Sequence, residues 1–590
     1  MSHPLRIPTV VLLLQILFAG DFVQGQAPQV QFLYPPHATI DGSVEVELIG
    51  KQADRVERLY LARPGLEARL LEKGKASFSV AADAPTGERD VWALSVGGVA
   101  GPFRFATSRL PTRTEKEPNN TPAAAQELEL PVAVCGRIDP GTDGDWFRVT
   151  LKAGDGLTLA CRSASLGGTL WPTLLVVDPH GREIAHDSLT QQEPTLHIIA
   201  AEAGAYSIGV QDRSYNSTPS RFYQLSLTTG PWIVGAYPPA IQKGQTQTLT
   251  LYGYSLAASE PCAADSPLRR RTVEVTAPDS APRAERGWCL SRSLFVDAWE
   301  YRHPEMEGSV RLELVNGPLA DAAAETSKGG REAATLRELP FEVVNRFDSP
   351  REVVHWYRFT AQKERTYWLE AIAERIDRTC DLELIIHDTA GKPLTTIGNI
   401  TTPKELASEV ALESRDPAGA WKAPADGEYL IAVRDLLATA APAYERAYRL
   451  SVGPRREDVR VVAQLAKGKE ENGWAVRAGG SLTLSLVAVR QGGQEGPIEV
   501  RAEELPPGLN IPAVTIPAKK GTAVLEITAE KDAEPWMGAI RLIATTESNR
   551  TPVTVEVIPL SRADPAASAV SRVLDELVIA VLPASEKAEK

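Results

Sequence analysis

Apolar residues in this chain alternate with polar ones, and they do so only in short runs. Val44, Val46 and Leu48 stop at Gly50, Phe147, Val149 and Leu151 interleave with Trp146, Arg148 and Thr150, and S-L-T-L-S-L-V-A-V begins at Ser481. A period of two places every second side chain on one face of a strand, and no long stretch keeps the 3.6-residue period of a helix. The 44 Gly and 44 Pro interrupt these runs at P-P, D-G, G-G and N-G turns, the punctuation of strands joined by tight loops. The fold class this requires is all-β. At roughly 100 to 200 residues per domain, 590 residues form several modules, each large enough to bury its own core.

The modules repeat. Q-F-L-Y-P-P near the start returns as V-G-A-Y-P-P, and Tyr34 is as far from Tyr237 as Gly50 is from Gly253. Trp146 and Trp356 share a slightly longer interval with Asp178 and Asp388, and G-A-Y-S-I-G-V-Q-D returns after a longer one still as G-E-Y-L-I-A-V-R-D. Intervals that widen along the chain are the mark of a duplicated two-domain unit that has gained insertions. The expected modules are 27–107, 113–229, 231–339, 340–454 and 456–558, the last with a turn at Leu505 to Leu509 and the strand spacing of an immunoglobulin-like sandwich. Residues 559–590 read as a short strand or helix followed by a charged C-terminal tail.

One stretch carries chemistry. Glu115, Glu117 and Asn119 sit two apart, and Pro118 biases Glu117 toward an extended backbone, so the three side chains project to one side as a row of oxygen donors. Asp143 and Asp145, also two apart, stand at the mouth of the strand that carries Phe147 and Val149. Calcium takes roughly 6 to 8 oxygens, and carboxylates from two segments supply several at once. The plainer alternative is an acidic linker that solvates a domain edge and caps turns.

E-K-E-P-N-N, D-G-D-W-F, L-L-V-V-D-P-H-G and G-A-Y-S-I-G-V-Q-D together resemble the bacterial pre-peptidase C-terminal (PPC) domain, a jelly-roll sandwich of secreted proteins, over about residues 113–229. In calcium-binding relatives of that family, the collagen-binding domains of clostridial collagenases, the acidic linker and the acids before the first aromatic strand hold the ion. Carried over by position, the resemblance implies calcium on Glu115, Glu117, Asn119, Asn120, Asp143 and Asp145, with Asn120 standing where those relatives have Asp. The second copy enters its jelly roll through F-D-S-P-R-E-V-V-H-W-Y, with His355 at the place of Asp145 and no E-x-E-P-N-N upstream, so no site is expected there. Both Y-P-P segments, 27–107 and 231–339, resemble the IPT/TIG immunoglobulin-like fold. The expected architecture is therefore a tandem array of β-sandwiches, alternating Ig-like and jelly-roll modules.

A formal net charge of -13 and a pI near 5.4 exclude the clustered basic face of a nucleic-acid binder. Arg6, the apolar run from Ile7 to Ala19 and V-Q-G before Gln26 follow the plan of a signal peptide over 1–25, so export to the periplasm, cell surface or medium is expected, with no further membrane-spanning run. Of five cysteines, Cys262 can pair with Cys289 and Cys135 with Cys161 across neighbouring strands, leaving Cys380; buried free thiols are the equal alternative. No H-E-x-x-H, G-x-S-x-G or P-loop occurs, and His180 and His186 beside Asp187 lack a third ligand at strand spacing. The aromatics Trp146, Tyr206, Tyr223, Trp356, Tyr429 and Tyr448 recur at matched places, as packing residues do. The expectation is a non-enzymatic protein that binds or spaces extracellular polysaccharide or protein. Its rival, an accessory part of a secreted peptidase system, follows from the company that PPC domains keep.

Overall fold

A computed structural model describes residues 27–584 except 140–142, 188–192, 214–219, 265, 281–290, 324–329, 455–456, 468–472, 549–550 and 562–570. The leader expected over 1–25 and Cys289 lie outside the described residues. Among the described residues the regular structure is β-strand with a few single-turn 3-10 helices. Ten principal sheets pair into five sandwiches, and the chain is thus a tandem array of β-sandwich modules.

The first sandwich faces the sheet Gln29–Tyr34, Ser43–Lys51, Lys75–Val80, Leu66–Leu70 against His37–Thr39, Gly98–Ser108, Gly87–Ser95, Arg58–Leu61. Phe78 and Phe105 stack at 4.7 Å between them. In the second, the five-stranded sheet centred on Gly204–Asp212 covers one centred on Phe222–Thr228. The alternation in Asp145–Leu151 drives Phe147, Val149 and Leu151 into that core. It drives Asp145 inward as well, because Asp145 shares their face.

The fourth sandwich repeats the strand order of the second, with Gly427–Asp435 matching Gly204–Asp212 and Ala447–Pro454 matching Phe222–Thr228, and adds the short edge strand Asn399–Ile400. Its entry begins before residue 340. Ala320–Asp321 pairs with Phe341–Arg346, and Thr335–Arg337 pairs with Val354–Ala361, so both short strands belong to this second jelly roll. The short strand or helix expected within 559–590 is a strand, and it joins a module. Leu577–Leu582 lies between Ala475–Arg477 and Trp536–Ser548 in the fifth sandwich and is buried throughout. A central strand covered on both faces reads as an unbroken apolar run, which is what L-V-I-A-V-L is.

Cys135 and Cys161 do not pair, and strand order gives the reason. Phe222–Thr228 lies between their two strands, two interstrand spacings of about 4.8 Å, and both thiols are buried and free. Cys380 is likewise buried and free, and Cys262 is free and exposed. Five of the six recurrent aromatics are buried, and Trp356 is half-buried beside His387.

The five modules pack into one body. Phe32 of the first stacks on Phe222 of the second at 4.7 Å, His197 of the second on Tyr254 of the third at 4.0 Å, and Tyr252 of the third on Tyr444 of the fourth at 4.6 Å. Leu294 of the third and Leu406 of the fourth join Val462 and Val487 of the fifth in one cluster. The last module then returns to the first. The Asp90 backbone N–H donates to Asp575 at 3.0 Å, the Asp575 N–H donates to Asp90 at 2.8 Å, and Arg104, Arg572 and Arg63 neutralise the two carboxylates. Trp92 enters the core of the fifth module. Val99 bridges to Gly473, which has φ +62° and whose Cβ, if present, would lie 1.9 Å from the Val99 carbonyl oxygen.

Asp575→Ala leaves Arg63 and Arg104 buried beside an emptied carboxylate position, and removing one member of a buried ion pair costs about 3–5 kcal/mol. Hydrogen exchange checks it. Amides of Gly87–Ser95 and Leu577–Leu582 should lose protection together, and unchanged protection in either strand would rule out coupling through this contact.

Candidate metal centre

The row of donors forms at the end of the second module where its two sheets approach. Thr112–Thr114 runs parallel to Val132–Arg137, and the Glu115 N–H donates to the Cys135 carbonyl at 3.0 Å, so the linker is stitched to the sheet up to the first acid. The Trp146 N–H then donates to the Asn119 carbonyl at 2.9 Å, tying the linker to the strand that begins with Asp145. Between these two fixed points Glu115, Glu117 and Asp145 bring one carboxylate oxygen each within 4.8 Å of the others. Glu117 is exposed, Glu115 half-buried, and Asn119 and Asp145 fully buried.

Several groups orient the acids. The Tyr223 hydroxyl donates to Asp145 Oδ2 at 2.6 Å, the Arg137 N–H donates to Glu115 Oε1 at 2.8 Å, and the Asn119 N–H donates to Glu117 Oε2 at 3.0 Å. Tyr34 reaches in from the first module, donating to the Cys135 carbonyl at 2.9 Å with Glu115 Oε1 3.5 Å from its hydroxyl. Gly136 makes room. A Cβ there would lie 2.4 Å from Glu115 Oε2 and 2.3 Å from the Tyr223 oxygen.

Sequence placed six donors together, and the structure gathers four of them: Glu115, Glu117, Asn119 and Asp145. Asn120 and Asp143 form a pair of their own. The Asn120 amide donates to Asp143 Oδ1 at 2.6 Å, and Asp143 also accepts the Asp139 N–H at 2.6 Å and the Gly144 N–H at 2.9 Å. Its carboxylate caps the loop before the strand, yet its charge still acts on Asp145. Sequence reasoning did not assign Tyr34, Gly136 or Tyr223 to the site. Tyr34 and Tyr223 were visible as repeat markers, but nothing local linked them to the acids.

Burial, and then the neighbouring Asp145 charge, push the Glu115 carboxyl far up, and burial raises Asp145 as well. Buried side by side, the two carboxyls favour keeping one proton between them. One feature fits a hard divalent cation: Glu115 Oε2 is buried with no hydrogen-bond partner. The Asn119 amide is satisfied with its NH2 toward the acids, donating to Glu117 at 3.3 Å and Asp145 at 3.1 Å.

The second jelly roll shows the same place without the site. His355 occupies the position of Asp145 and hydrogen-bonds Tyr448 through Nδ1 at 2.7 Å and Glu352 through Nε2 at 3.0 Å. Asn345 stands at the position of Gly136, and its amide donates to Tyr357, whose hydroxyl meets that of Tyr448 at 2.8 Å. The volume that holds three carboxylates in one copy holds a network of His355, Tyr448, Tyr357 and Asn345 in the other, joined by the single carboxylate of Glu352. Elsewhere, His180 and His186 are exposed and meet Glu202 at 2.6 Å and Glu183 at 3.2 Å.

Fold and site define a multi-module β-sandwich protein with, among the described residues, one carboxylate-lined centre, in its second module. No family model matches the chain, and no curated protein matches it. Among solved structures, the pre-peptidase C-terminal domain of a Bacillus anthracis collagenase is 13% identical, with a TM-score of 0.16, covering 19% of this chain and all of that one (100%). A Bacteroides ovatus mixed-linkage glucan utilization protein, SGBP-B, is 8% identical over 73% of this chain and 76% of that chain, at 0.13. A Clostridium perfringens M60 catalytic domain with its CBM51 domains is 10% identical over 73% of this chain and 46% of that chain, at 0.15. Likenesses this low assign neither a family nor an activity.

A carboxylate whose folded pKa is raised stabilises the fold fully below its unfolded pKa and loses that contribution as pH climbs through the folded one. In chelator, the stability of the second module should fall steadily as pH rises from about 4.5 to about 10. Asp145→Asn should flatten the fall. Melting curves across that range check it, and a stability that rises with pH in the unsubstituted protein would refute the shared proton.

Proposed function

We propose that this is an exported, non-enzymatic binding protein that engages an extracellular polysaccharide or protein and carries one calcium ion in its second module. The observation behind the binding reading is the way the described chain is spent. Its strands form five sandwiches that lock to one another and close from last to first, leaving clefts at the junctions, and a rigid body with clefts is suited to receive a ligand with little loss of freedom. The negative net charge supports partners other than nucleic acid. No helix among the described residues is long and apolar enough to cross a membrane.

Calcium fits the oxygen donors Glu115, Glu117, Asn119 and Asp145, and the proton shared there in its absence would leave on binding. Bound, the ion would fasten the linker to the strand mouth and hold the Tyr34 contact between the first two modules. At a hundredfold excess over Kd, calcium should stabilise the protein by about 2.7 kcal/mol, and its affinity should rise with pH as the proton is lost. Asp145→Ala should abolish the shift in thermal melting. An equal shift in that variant would place calcium elsewhere.

The binding reading is tested by glycan and extracellular-protein arrays probed with the cleaved chain, with calcium and with chelator. Retention of at least one ligand class is expected, together with no hydrolysis of casein or ester substrates. Turnover that survives repurification and vanishes on a single acid-to-alanine change would overturn the non-enzymatic reading.

A further inference from the structure

Each jelly roll turns the same sheet face toward a junction cleft, and the two faces have diverged. Strand register fixes the correspondence. In the second module Ala133 and Ala160 flank Ser226 across neighbouring strands; in the fourth, Glu342 and Glu370 flank Ser451. Two residues along those strands, Thr158 corresponds to Trp368 and Gln224 to Arg449. The altered face of the fourth module lines a cleft of about 610 Å³ whose other walls come from the third and fifth modules. Small-ligand sites span roughly 300–1,000 Å³.

The exchange makes this cleft negative. Its described lining holds six carboxylates and three cations. Each cation is already engaged: Lys243 meets Asp297 at 2.7 Å, Arg449 holds Glu313 through two nitrogens at 2.6 Å each, and Arg460 meets Asp458 at 2.6 Å. Beyond these pairs the lining adds three carboxylates and no cation. One of them, Glu370, shares the buried Arg375 with Asp416, at 2.8 Å from each. Another, Glu342, lies 3.7 Å from Arg449, beyond hydrogen-bonding length, and keeps 26% of its side-chain surface open. Burial raises the Glu313 carboxyl even beside Arg449, and the Glu370 charge adds to the rise. A wall of this charge repels an anion and attracts a cation.

The spacing selects the kind of cation. Glu342 and Glu370 stand two interstrand spacings of about 4.8 Å apart, and among the described residues no three acids converge here as Glu115, Glu117 and Asp145 do. Such a face suits a cation with an apolar body more than a bare metal ion. Trp368, half-buried between strands of the same face, offers the apolar surface, and among the described residues no ring or guanidinium lies against its indole. Another wall of the cleft shows what an aromatic and an acid hold between them. There Arg460 lies over the Phe295 ring at 5.1 Å while its guanidinium donates to Asp458 at 2.6 Å. Trp368 with Glu342 and Glu370 repeats the aromatic and the acid, with no basic side chain on the indole.

We propose that this cleft receives a basic side chain, lysine or arginine, of a partner protein, its charge met by Glu342 and Glu370 and its alkyl stem laid on Trp368. The assignment rests on the binding reading given above and chooses protein over polysaccharide as the ligand.

Calorimetric titration of the cleaved full-length chain tests it, using blocked tetrapeptides whose two central residues are Lys, Arg, Gln or Glu, with glucosamine oligomers as an amine from a polysaccharide. The Lys and Arg peptides should bind about tenfold more tightly than the Gln and Glu peptides, with an affinity that falls as salt is added. Trp368→Leu should weaken that binding about tenfold and Glu342→Gln about fivefold. Glu342→Gln leaves the Arg449–Glu313 pair in place, so it decides the matter if Trp368→Leu does not fold. A Gln peptide that binds as well as the Lys peptide, binding unchanged in the folded variants, or tighter binding of glucosamine oligomers would overturn the assignment. If no basic peptide binds while a polysaccharide from the array does, the cleft assignment falls and the binding reading stands; if nothing binds in either experiment, both fall.

Discussion

Two aspartates nearly five hundred residues apart determine how this chain is closed. Asp90 and Asp575 each accept the other's backbone N–H, so neither carboxylate is satisfied unless both segments are in place. Arg63, Arg104 and Arg572 complete the neutralisation with side chains that are almost wholly buried. Buried charges that are stable only as a set make such a contact close to all-or-none. The junction clefts lie elsewhere, one between the first four modules and one between the last three.

Within the closed body, a smaller contact was duplicated with the modules. The tyrosine of each Y-P-P motif lies under an arginine of the following jelly roll, Tyr34 under Arg137 at 4.7 Å and Tyr237 under Arg346 at 4.5 Å. Each hydroxyl also reaches into the next module, Tyr34 to the Cys135 carbonyl and Tyr237 to Asp321 at 2.6 Å. The docking is kept while the chemistry beside it has diverged. Gly136 and Asp145 admit three carboxylates to one centre, whereas Asn345 and His355 fill the other with side-chain hydrogen bonds to Tyr357, Tyr448 and Glu352.

The strands and the duplication were legible because they depend on local alternation and on motifs such as Y-P-P and G-A-Y-S-I-G-V-Q-D. The converging acids were legible for the same reason: Glu115, Glu117 and Asn119 share a face by spacing alone. Asp143 was misplaced as a donor because its partners Asn120, Asp139 and Gly144 cap a loop, and loop geometry carries no period. Ala320–Asp321 is too short to show alternation, and it moved a module boundary. Nothing in the local sequence marks Asp90 or Asp575. Their burial is a property of two modules meeting, and composition gives no sign of it.

Closure also changes what the protein would feel under tension. In an open string of sandwiches, a pull on the two ends loads every module in series and the weakest yields first. Here the first and last modules are fastened side by side through Asp90, Asp575, Trp92 and the Val99–Gly473 bridge. Force entering at the two terminal strands loads the first and fifth sandwiches and the seam between them, and the three modules in between are shielded until that seam parts.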